Sequence, residues 1–379
     1  MNILIIPTRY PNYFNPQSNV FYKDQAEALS QAGHNVSVLA VVPITIQEIL
    51  KKRSLRFGYK VQNEKGVKTH TLTFPVFPKT KKIQQLLRAF IGKLMFLNFV
   101  KENHIPDIIH VHTFIAADLA IRLRNKYKIP FVITEHSSIF KRKIATKYDI
   151  SLARKAYTNA SKCIAVSKNF ADYLKIKFNE DFTYVPNVVD TNFFAPLINE
   201  NTNEFKILNV ANLNSNKNHE LLIKSFHNAL LDQPNLKLRI GGCGPEDLKL
   251  KELVCKLGLE NSVSLLGKLT RDQVKWEMQR CTVFALTSKY ETFGVVLIEA
   301  MSCGKPVIST NSGGPSSIIK NGKNGILVNN EQSFEEELGR FIRDYPSFNL
   351  SDIRENTVAE FSNNAVVQKL LLIYLDVVK

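Results

Sequence analysis

The sequence predicts an α/β protein made of two doubly wound, Rossmann-like domains that face each other across a cleft. With 379 residues, of which 44% are apolar, the chain exceeds the usual size of one core and favours two domains of about 190 residues each. Short apolar runs alternate with helical patterns, and this alternation restarts after VPNVVDTNFF (185–194). Such alternation is typical of βαβ units. We therefore predict domains at 1–187 and 188–360, followed by a helix at 361–379.

In the first domain, four apolar runs have the length of buried strands. They lie at 2–6, 36–42, 108–112 and 131–134. Helical spacing predicts three helices there, at 25–33, 118–127 and 152–160. Gly33 stands where a glycine ends a helix.

In the second domain, six runs are predicted as strands: 207–211, 236–242, 262–267, 282–288, 306–310 and 326–328. Ligands of such sheets bind beyond the carboxyl ends of the strands, so two facing domains would share one cleft. The last segment has apolar residues at 366, 370, 373 and 377. It is predicted to be a helix that packs back toward the first domain.

The excess of positive over negative charge lies entirely in the first domain. Residues 1–187 hold 29 Lys and Arg against 12 Asp and Glu, a net +17, whereas the rest holds 21 against 22, a net −1. Such a field fits a nucleic acid, an anionic membrane or an acidic substrate. No basic and aromatic stacking motif of a known nucleic-acid module is evident, so we expect no nucleic-acid partner.

The stretch IQQLLRAFIGKLMFLNFVKE (83–102) has helical apolar spacing at 83, 86, 87, 90, 91, 94 and 97. One interpretation is a helix that turns these residues to the core and its basic side to water. The other is a helix that lies on anionic lipid. The basic residues that flank it are Lys51, Lys52, Arg53, Arg56, Lys60, Lys79, Lys81 and Lys82.

Localisation is predicted from what the sequence lacks. Its apolar runs are far shorter than the ~20 residues that span a bilayer, and no basic leader precedes a secretory apolar run. We expect a cytoplasmic protein, peripheral on the inner face of the plasma membrane. The cysteines lack metal-ligand spacing and are interpreted as small buried hydrophobes: Cys163, Cys243, Cys255, Cys281 and Cys303.

The stretch YETFGVVLIEAMSCGKPVIST (290–310) carries the most specific chemistry. A helix is predicted at 294–303. It opens with the free N–H groups of 293–296, which suit an anion such as a phosphate. Gly294 has no Cβ atom and lets a phosphate approach the main chain closely. Glu299, in the second turn, suits the vicinal hydroxyls of a ribose. Glu291, at the mouth of the cleft, could bind hydroxyls of the group that is attached to the ligand beyond its phosphates. The alternative is two ordinary glutamates, one favoured by the helix dipole and one solvated.

The string ETFGVVLIEAMSCGKPVISTNSGG (291–314) resembles the signature of retaining glycosyltransferases of family 4, which have the GT-B fold. VANLNSNKNHELLIKSF (210–226) is similar to the donor-phosphate segment of that family, and GGCGPE (241–246) to its glycine turn. In the first half GHNVSVL, PDIIHVHT, TEHSSIF and CIAVSKNFADYL are similar to family landmarks in a more diffuse way.

The resemblance implies catalytic roles for three residues. Lys217 would neutralise the donor diphosphate, Glu291 would contact the donor sugar, and His136 would face the reacting sugar. Glu299 would bind the ribose. Further donor-binding positions are implied at Asn212, Gly242, Gly244, Phe293, Gly294 and Val295.

Three departures from the family pattern stand out. Asn212 replaces an Arg, so another basic residue is expected to act at the diphosphate. NPQSNVF (15–21) replaces a Gly-Gly turn, and Pro315 follows Gly313-Gly314 where the family has an acidic residue shortly after. We interpret His110 and His112 as core residues that face opposite sides of their sheet.

The leading hypothesis is a hexosyl- or N-acetylhexosaminyltransferase. No Asp-x-Asp pair is present, so we expect neither metal nor cofactor; the nucleotide sugar, linked to UDP or GDP, is a substrate. The resemblance implies retention through an oxocarbenium-like state, with a departing phosphate oxygen taking the proton of the acceptor. A lipid-linked saccharide acceptor in bacterial surface polysaccharide synthesis would explain the basic domain. Two alternatives remain: a sugar-nucleotide epimerase and a non-catalytic binding subunit.

Overall fold

The computed structural model describes residues 1–15, 19–52, 56–76, 81–197 and 204–378, without the side chains of 51 and 52. These residues form two compact units. Unit 1 contains Met1–Val188 and Asn363–Lys379, and unit 2 contains Val189–Ser362. The units therefore divide one residue after the predicted 187/188 boundary and two residues after the predicted 360/361 boundary.

Fourteen strands form in the described part of the chain. Unit 1 contains β1 (Asn2–Pro7), β2 (Asn35–Thr45), β3 (Gly58–Glu64), β4 (Val67–Val76), β5 (Ile108–His112), β6 (Phe131–Glu135), β7 (Lys162–Ala165) and β8 (Phe182–Tyr184). Unit 2 contains β9 (Phe205–Val210), β10 (Leu236–Gly241), β11 (Val263–Gly267), β12 (Val283–Leu286), β13 (Val307–Thr310) and β14 (Gly325–Val328).

Thirteen α-helices join them in the same described residues. They are α1 (Val20–Gln31), α2 (Ile46–Lys52), α3 (Lys81–Glu102), α4 (Ala117–Tyr127), α5 (Lys147–Asn159), α6 (Lys168–Phe178), α7 (His219–Asp232), α8 (Asp247–Lys256), α9 (Arg271–Arg280), α10 (Val295–Ser302), α11 (Phe334–Asp344), α12 (Leu350–Phe361) and α13 (Asn363–Val378).

Each unit is built around one sheet with helical crossovers. The order in unit 1 is β3-β4-β2-β1-β5-β6-β7-β8, parallel except for the antiparallel pair β3–β4. The order in unit 2 is β11-β10-β9-β12-β13-β14, parallel throughout. This is the doubly wound order 3-2-1-4-5-6, which reverses between β9 and β12. The predicted fold class is confirmed for each unit.

All ten predicted strands are present, with ends within three residues of the expected ones. The three predicted helices of the first domain are α1, α4 and α5. Gly33 follows the end of α1 with φ 86°, the left-handed conformation expected of a terminating glycine. Four strands of unit 1 were not predicted: β3, β4, β7 and β8. Strand β3 is wholly exposed and lacks the apolar run of a buried strand, and β7 and β8 are only four and three residues long.

Helix α13 belongs to the core of unit 1. Val366, Val367, Leu370 and Tyr374 are each at most 1% exposed and join the cluster that includes residues of β1 and β2. Four residues from the far end of the sequence thus complete a core that begins with β1.

Two interpretations of burial were wrong. The predicted apolar stripe of α3 does not face the core, because five of its seven side chains are exposed, the other two are half-buried, and the core contacts come from another face. Cys243 and Cys255 are exposed rather than buried. Cys243 lies in the turn after β10, and Cys255 lies on an exposed face of α8. Arg53 and Lys79, which flank the α3 stripe in sequence, lie outside the described residues.

We expect Leu370→Ala to destabilise unit 1 by about 2–5 kcal/mol, because it leaves a cavity where a side chain only 1% exposed now packs. Leu372 on the same helix is 70% exposed, so Leu372→Ala should change stability by less than about 0.5 kcal/mol. Urea unfolding followed by circular dichroism measures both. Equal effects of the two variants would contradict the packing of α13 in this core.

Candidate functional site

Three loops meet at the carboxyl edge of the sheet in unit 2. The loops after β9, β12 and β13 are joined by main-chain hydrogen bonds. Lys289 donates its N–H to the oxygen of Asn216 (2.8 Å). Glu291 donates to the oxygen of Ser312 (3.0 Å) and accepts from the N–H of Gly314 (2.8 Å). Glu291 is therefore fixed through its backbone, at the edge where ligands of such sheets bind.

The structure brings two predicted site residues into contact. The Nζ atom of Lys217 donates to Oε2 of Glu291 at 2.6 Å, and the side chains are 21% and 18% exposed. The Oγ1 atom of Thr287 donates to the Lys217 oxygen at 3.0 Å. The ammonium group and the carboxylate thus lie side by side at the surface of unit 2.

Helix α10 begins beside Glu291. Gly294 precedes its first residue with φ 113°, a conformation that favours glycine. The N–H groups of 293–296 donate to no acceptor among the residues the structure describes, so this helix start can receive an anion. The ring of Phe293 is 2% exposed and lies edge-on to Phe361 at 6.2 Å. Only the main chain of Phe293 can therefore meet a ligand.

Glu299 lies one turn further along α10. It is half-buried, like Val295 four positions before it, and residues spaced by four share one face of a helix. The predicted carboxylate in the second turn is therefore on the face that also presents Val295. Glu291 and Glu299 come from the exit loop and from the helix, as the sequence analysis placed them.

The predicted glycine turn packs against the loop that leads to Lys217. A Cβ atom on Gly242 would lie 1.8 Å from the Ala211 oxygen, and one on Gly244 would lie 2.1 Å from the Leu213 oxygen. These glycines are therefore required by the contact between two loops. Asn212, between those loop residues, is exposed.

A buried polar pair beneath these loops was missed by the sequence analysis. His219, the first residue of α7, donates from Nε2 to Oδ1 of Asn209 on β9 (3.1 Å), and Asn209 donates to the Ala285 oxygen on β12 (2.8 Å). Burial, and then the charge of Lys217, lower the pKa of His219 to about 4. The pair links α7 to both strands at the point where the sheet order reverses. The sequence contains a signal for this pair, because the polar Asn209 interrupts an otherwise apolar strand.

His136 in unit 1 is part of an aromatic cluster at the carboxyl ends of β5 and β6. Its Nε2 atom lies 3.0 Å from Nδ1 of His112. The His112 ring stacks on Tyr22 at 4.3 Å, and Phe21 lies 5.1 Å from the His136 ring. Burial lowers the pKa of His136 to about 3, with a smaller effect of His110.

The placement of His110 and His112 on opposite sides of the sheet was wrong. Their rings stack at 4.5 Å, because residues two positions apart on a strand share a face. The Nδ1 atom of His110 accepts from Gln25 and from the hydroxyl of Tyr374, and its Nε2 atom donates to Thr134. Tyr374 of α13 is thus bonded within this cluster.

The loop that carries His136 is held by Glu135. This carboxylate accepts from the N–H groups of Phe114, His136 and Ser137 at 2.8–3.0 Å and from the hydroxyl of Tyr157 at 2.8 Å. Burial raises the pKa of Glu135, and the four hydrogen bonds oppose that rise. A buried polar group therefore fixes the main chain of His136.

The turn predicted to depart from the family at 15–21 lies partly outside the described residues, since 16–18 are missing from them. Asn19, just before α1, has φ 49°, and Asn218, just before α7, has φ 51°. Asparagine tolerates this left-handed conformation better than most residues. The first helix of each unit therefore starts after a left-handed asparagine.

Family comparisons agree with this geometry. The model of glycosyl transferases group 1 matches residues 190–361, and that of glycosyltransferase family 4 matches residues 18–193. An uncharacterised glycosyltransferase of Methanocaldococcus jannaschii is 30% identical over 288 residues, which cover 74% of this chain and 76% of that protein. The chain belongs to the family 4 glycosyltransferases of group 1.

Other similar proteins span the whole chain. Alpha-monoglucosyldiacylglycerol synthase of Acholeplasma laidlawii is 24% identical over 93% of this glycosyltransferase and 91% of its own length. Sucrose-phosphate synthase of Thermosynechococcus elongatus has a TM-score of 0.80 at 19% identity, covering 99% of both chains. The Anabaena protein HepE in complex with UDP has a TM-score of 0.73 at 20% identity, covering 99% and 100%. The predicted GT-B fold is confirmed.

Neither a metal-binding cluster nor a membrane-spanning helix is present among the described residues. No group of three or more His, Cys, Asp and Glu side chains in these ranges could hold a metal ion. Over the same ranges, no helix combines the length and the hydropathy needed to cross a membrane.

We expect unit 1 of the glycosyltransferase to lose stability as the pH falls below about 6.5. Burial lowers the pKa values of His110 and His136 from 6.5 to about 3, so the unfolded chain binds more protons between these values. Each contributes a slope of about 1.4 kcal/mol per pH unit in that window. Urea unfolding at several pH values should show a smaller slope for His110→Gln. The exposed His104, changed to Gln, is the control, and an unchanged slope in His110→Gln would contradict the prediction.

We expect Gly314→Ala to disturb the start of α10, because its Cβ atom would lie 2.3 Å from the nitrogen of Phe293. Unit 2 should lose at least about 1–3 kcal/mol through overpacking. Gly339, inside α11, has room for a Cβ atom. Gly339→Ala should therefore stabilise unit 2 by about 0.5–1 kcal/mol. Thermal unfolding tests the pair, and a neutral Gly314→Ala would show that this close approach is not required.

Proposed function

We propose that this glycosyltransferase moves a hexosyl or N-acetylhexosaminyl group, with retention and without a metal, from a UDP- or GDP-linked donor to a lipid-linked saccharide. The observation that carries the proposal is the contact between Lys217 and Glu291 at 2.6 Å, next to the free N–H groups that open α10. A cation, a carboxylate and a helix start are the groups that a sugar diphosphate requires.

The donor roles follow from the chemistry of each group. Lys217 and the helix start neutralise the charge that grows on the diphosphate as the glycosidic bond breaks, because fixed positive groups stabilise a leaving anion. Glu291 then exchanges its ammonium partner for hydroxyls of the donor sugar, and Glu299 binds the ribose. His136 of unit 1 stays the predicted contact to the reacting sugar.

A second cation is needed where Asn212 stands in place of the family arginine. Lys289 is our candidate, because it is exposed and its N–H is bonded to Asn216, next to Lys217 in sequence. Its role is proposed from this position. In Lys289→Ala, diphosphate affinity should fall less than in Lys217→Ala, since Lys217 is the better buried of the two.

The proposed acceptor is carried by lipid at the cytoplasmic face of a bacterial membrane, in surface polysaccharide synthesis. The net +17 of residues 1–187 supports this, since each basic residue near an anionic surface contributes about 1 kcal/mol of attraction. The name of the Acholeplasma relative, a glucosyldiacylglycerol synthase, also points to lipid substrates. UDP is the first nucleotide to test, because HepE binds it.

We expect UDP or GDP to stabilise unit 2 by about 2.7 kcal/mol at about 100 times its dissociation constant. Thermal unfolding with and without EDTA measures this, and EDTA should have no effect. Lys217→Ala should lose the stabilisation. Lys224→Ala is the matched control, because Lys224 also forms a lysine–glutamate ion pair, with Glu220 at 2.7 Å. Both residues of that pair lie on α7, and the variant should keep the nucleotide effect. Glu291→Gln should keep the nucleotide effect and lose sugar transfer.

Three outcomes would contradict the proposal. If no nucleotide stabilises the folded wild type, the site is not a donor site. If EDTA abolishes the stabilisation, nucleotide binding depends on a metal ion. If the donor sugar is converted to its epimer without an acceptor, the chain is an epimerase.

A further inference from the structure

Helix α3 of unit 1 is apolar on two opposite faces. Its inner face contains Ala89, Met95, Phe96 and Phe99, each at most 5% exposed. At 100° per residue, the opposite face is the stripe that the sequence analysis identified. Five of its seven side chains are exposed: Ile83 47%, Leu86 52%, Leu87 45%, Phe90 60% and Leu94 51%. The other two, Ile91 and Leu97, are half-buried. The side of a surface helix that faces away from the core is normally polar.

The charges beside the stripe have one sign. From Lys81 to Lys101 the helix contains no acidic residue. Lys82 and Lys93 are exposed along one flank, and Lys101 is exposed in line with the stripe. A partner must therefore offer apolar surface together with negative charge.

The helix is held firmly on its other side. The guanidinium of Arg88 donates to the main-chain oxygens of Thr8 and Val41, the latter at 2.9 Å. Gln85 donates to the Ile115 oxygen at 2.6 Å. A Cβ atom on Gly92 would lie 2.7 Å from Leu119, so α3 and α4 pack closely. These contacts fix the orientation of α3, and the exposed stripe cannot rotate into the core without breaking them.

The same contacts place the stripe in unit 1. Thr8 directly follows β1, and Ile115 follows β5, so the first half of α3 lies at the carboxyl edge of the sheet. This is the edge where doubly wound sheets bind ligands. A surface that holds lipid here would lie close to a substrate carried on that lipid.

We propose that α3 docks this protein on an anionic lipid bilayer, lying parallel to the surface with its stripe among the acyl chains and Lys82, Lys93 and Lys101 at the headgroups. Interfacial helices combine an apolar face with flanking cations in this way. The inference deepens the proposed function and rests on it only for the identity of the acceptor. Lipid is favoured over a second copy of the chain, because two such basic helices would repel each other.

The test uses the full-length protein and vesicles of phosphatidylcholine with or without phosphatidylglycerol. We expect wild type to sediment with the anionic vesicles and to bind less at high salt. The double variant Leu86→Ser/Phe90→Ser should bind them at least about tenfold more weakly. The matched control is Leu231→Ser/Leu248→Ser in unit 2, where the side chains are 75% and 73% exposed. It should bind like wild type.

Insertion can be observed directly. Trp276 is the only tryptophan, so Phe90→Trp in a Trp276→Phe background reports on the stripe alone. Its emission should shift to the blue with anionic vesicles. Unchanged emission, or equal binding by both double variants, would overturn the proposal. So would self-association of wild type that Leu86→Ser/Phe90→Ser abolishes, if wild type binds no vesicles. Nucleotide stabilisation of unit 2 should survive in that variant, which separates failure of this inference from failure of the donor site.

Discussion

The proposed donor site of unit 2 depends on one constraint: the main-chain groups of the loops after β9, β12 and β13 form hydrogen bonds with each other. The main chain of Glu291 donates one hydrogen bond to the loop after β13 and accepts one from it. The N–H group of Lys289 donates to a carbonyl oxygen of the loop after β9. Buried or half-buried amides need such partners. Because Gly314 has no side chain, its loop approaches Phe293 closely enough for these bonds. The positions of the carboxylate and the helix start follow from this bonding.

The pairing of Lys217 with Glu291 gives the unliganded site its charge balance. Separating two such half-exposed ions without new partners would cost free energy. A sugar diphosphate offers both partners at once, an anion for the ammonium and hydroxyls for the carboxylate. A nucleotide without the sugar would pair its phosphates with the ammonium group of Lys217, and the carboxylate of Glu291 would be hydrated only by water. We therefore expect the pair, in the proposed donor site, to favour the complete donor over its fragments.

The sequence predicted all six strands of unit 2, half of the eight strands of unit 1, and little of the polar interior. Buried parallel strands are near-continuous apolar runs, so β9 to β14 were visible, whereas β3 has no apolar run because it is exposed. The candidate site residues were chosen because glycines and glutamates at fixed spacing resemble a family signature, and their roles stay predictions. The contact of His110 with Tyr374 was not predictable, since it joins residues 264 positions apart. The contact of Asn209 with His219 was missed although the polar Asn209 interrupts an apolar strand. The sequence left the stripe of α3 open between the core and lipid, because periodicity shows a stripe without showing which side is covered.

The position of α13 has a consequence for synthesis. Unit 1 is interrupted in sequence, because residues 363–378 are translated after the whole of unit 2. When residues 1–188 leave the ribosome, the core surface that Val366, Leu370 and Tyr374 will cover is still open to water. Chains fold during translation from the N-terminus onward, and unit 2 is one uninterrupted segment. Unit 2 can therefore finish folding before unit 1, although unit 1 is the first to be made.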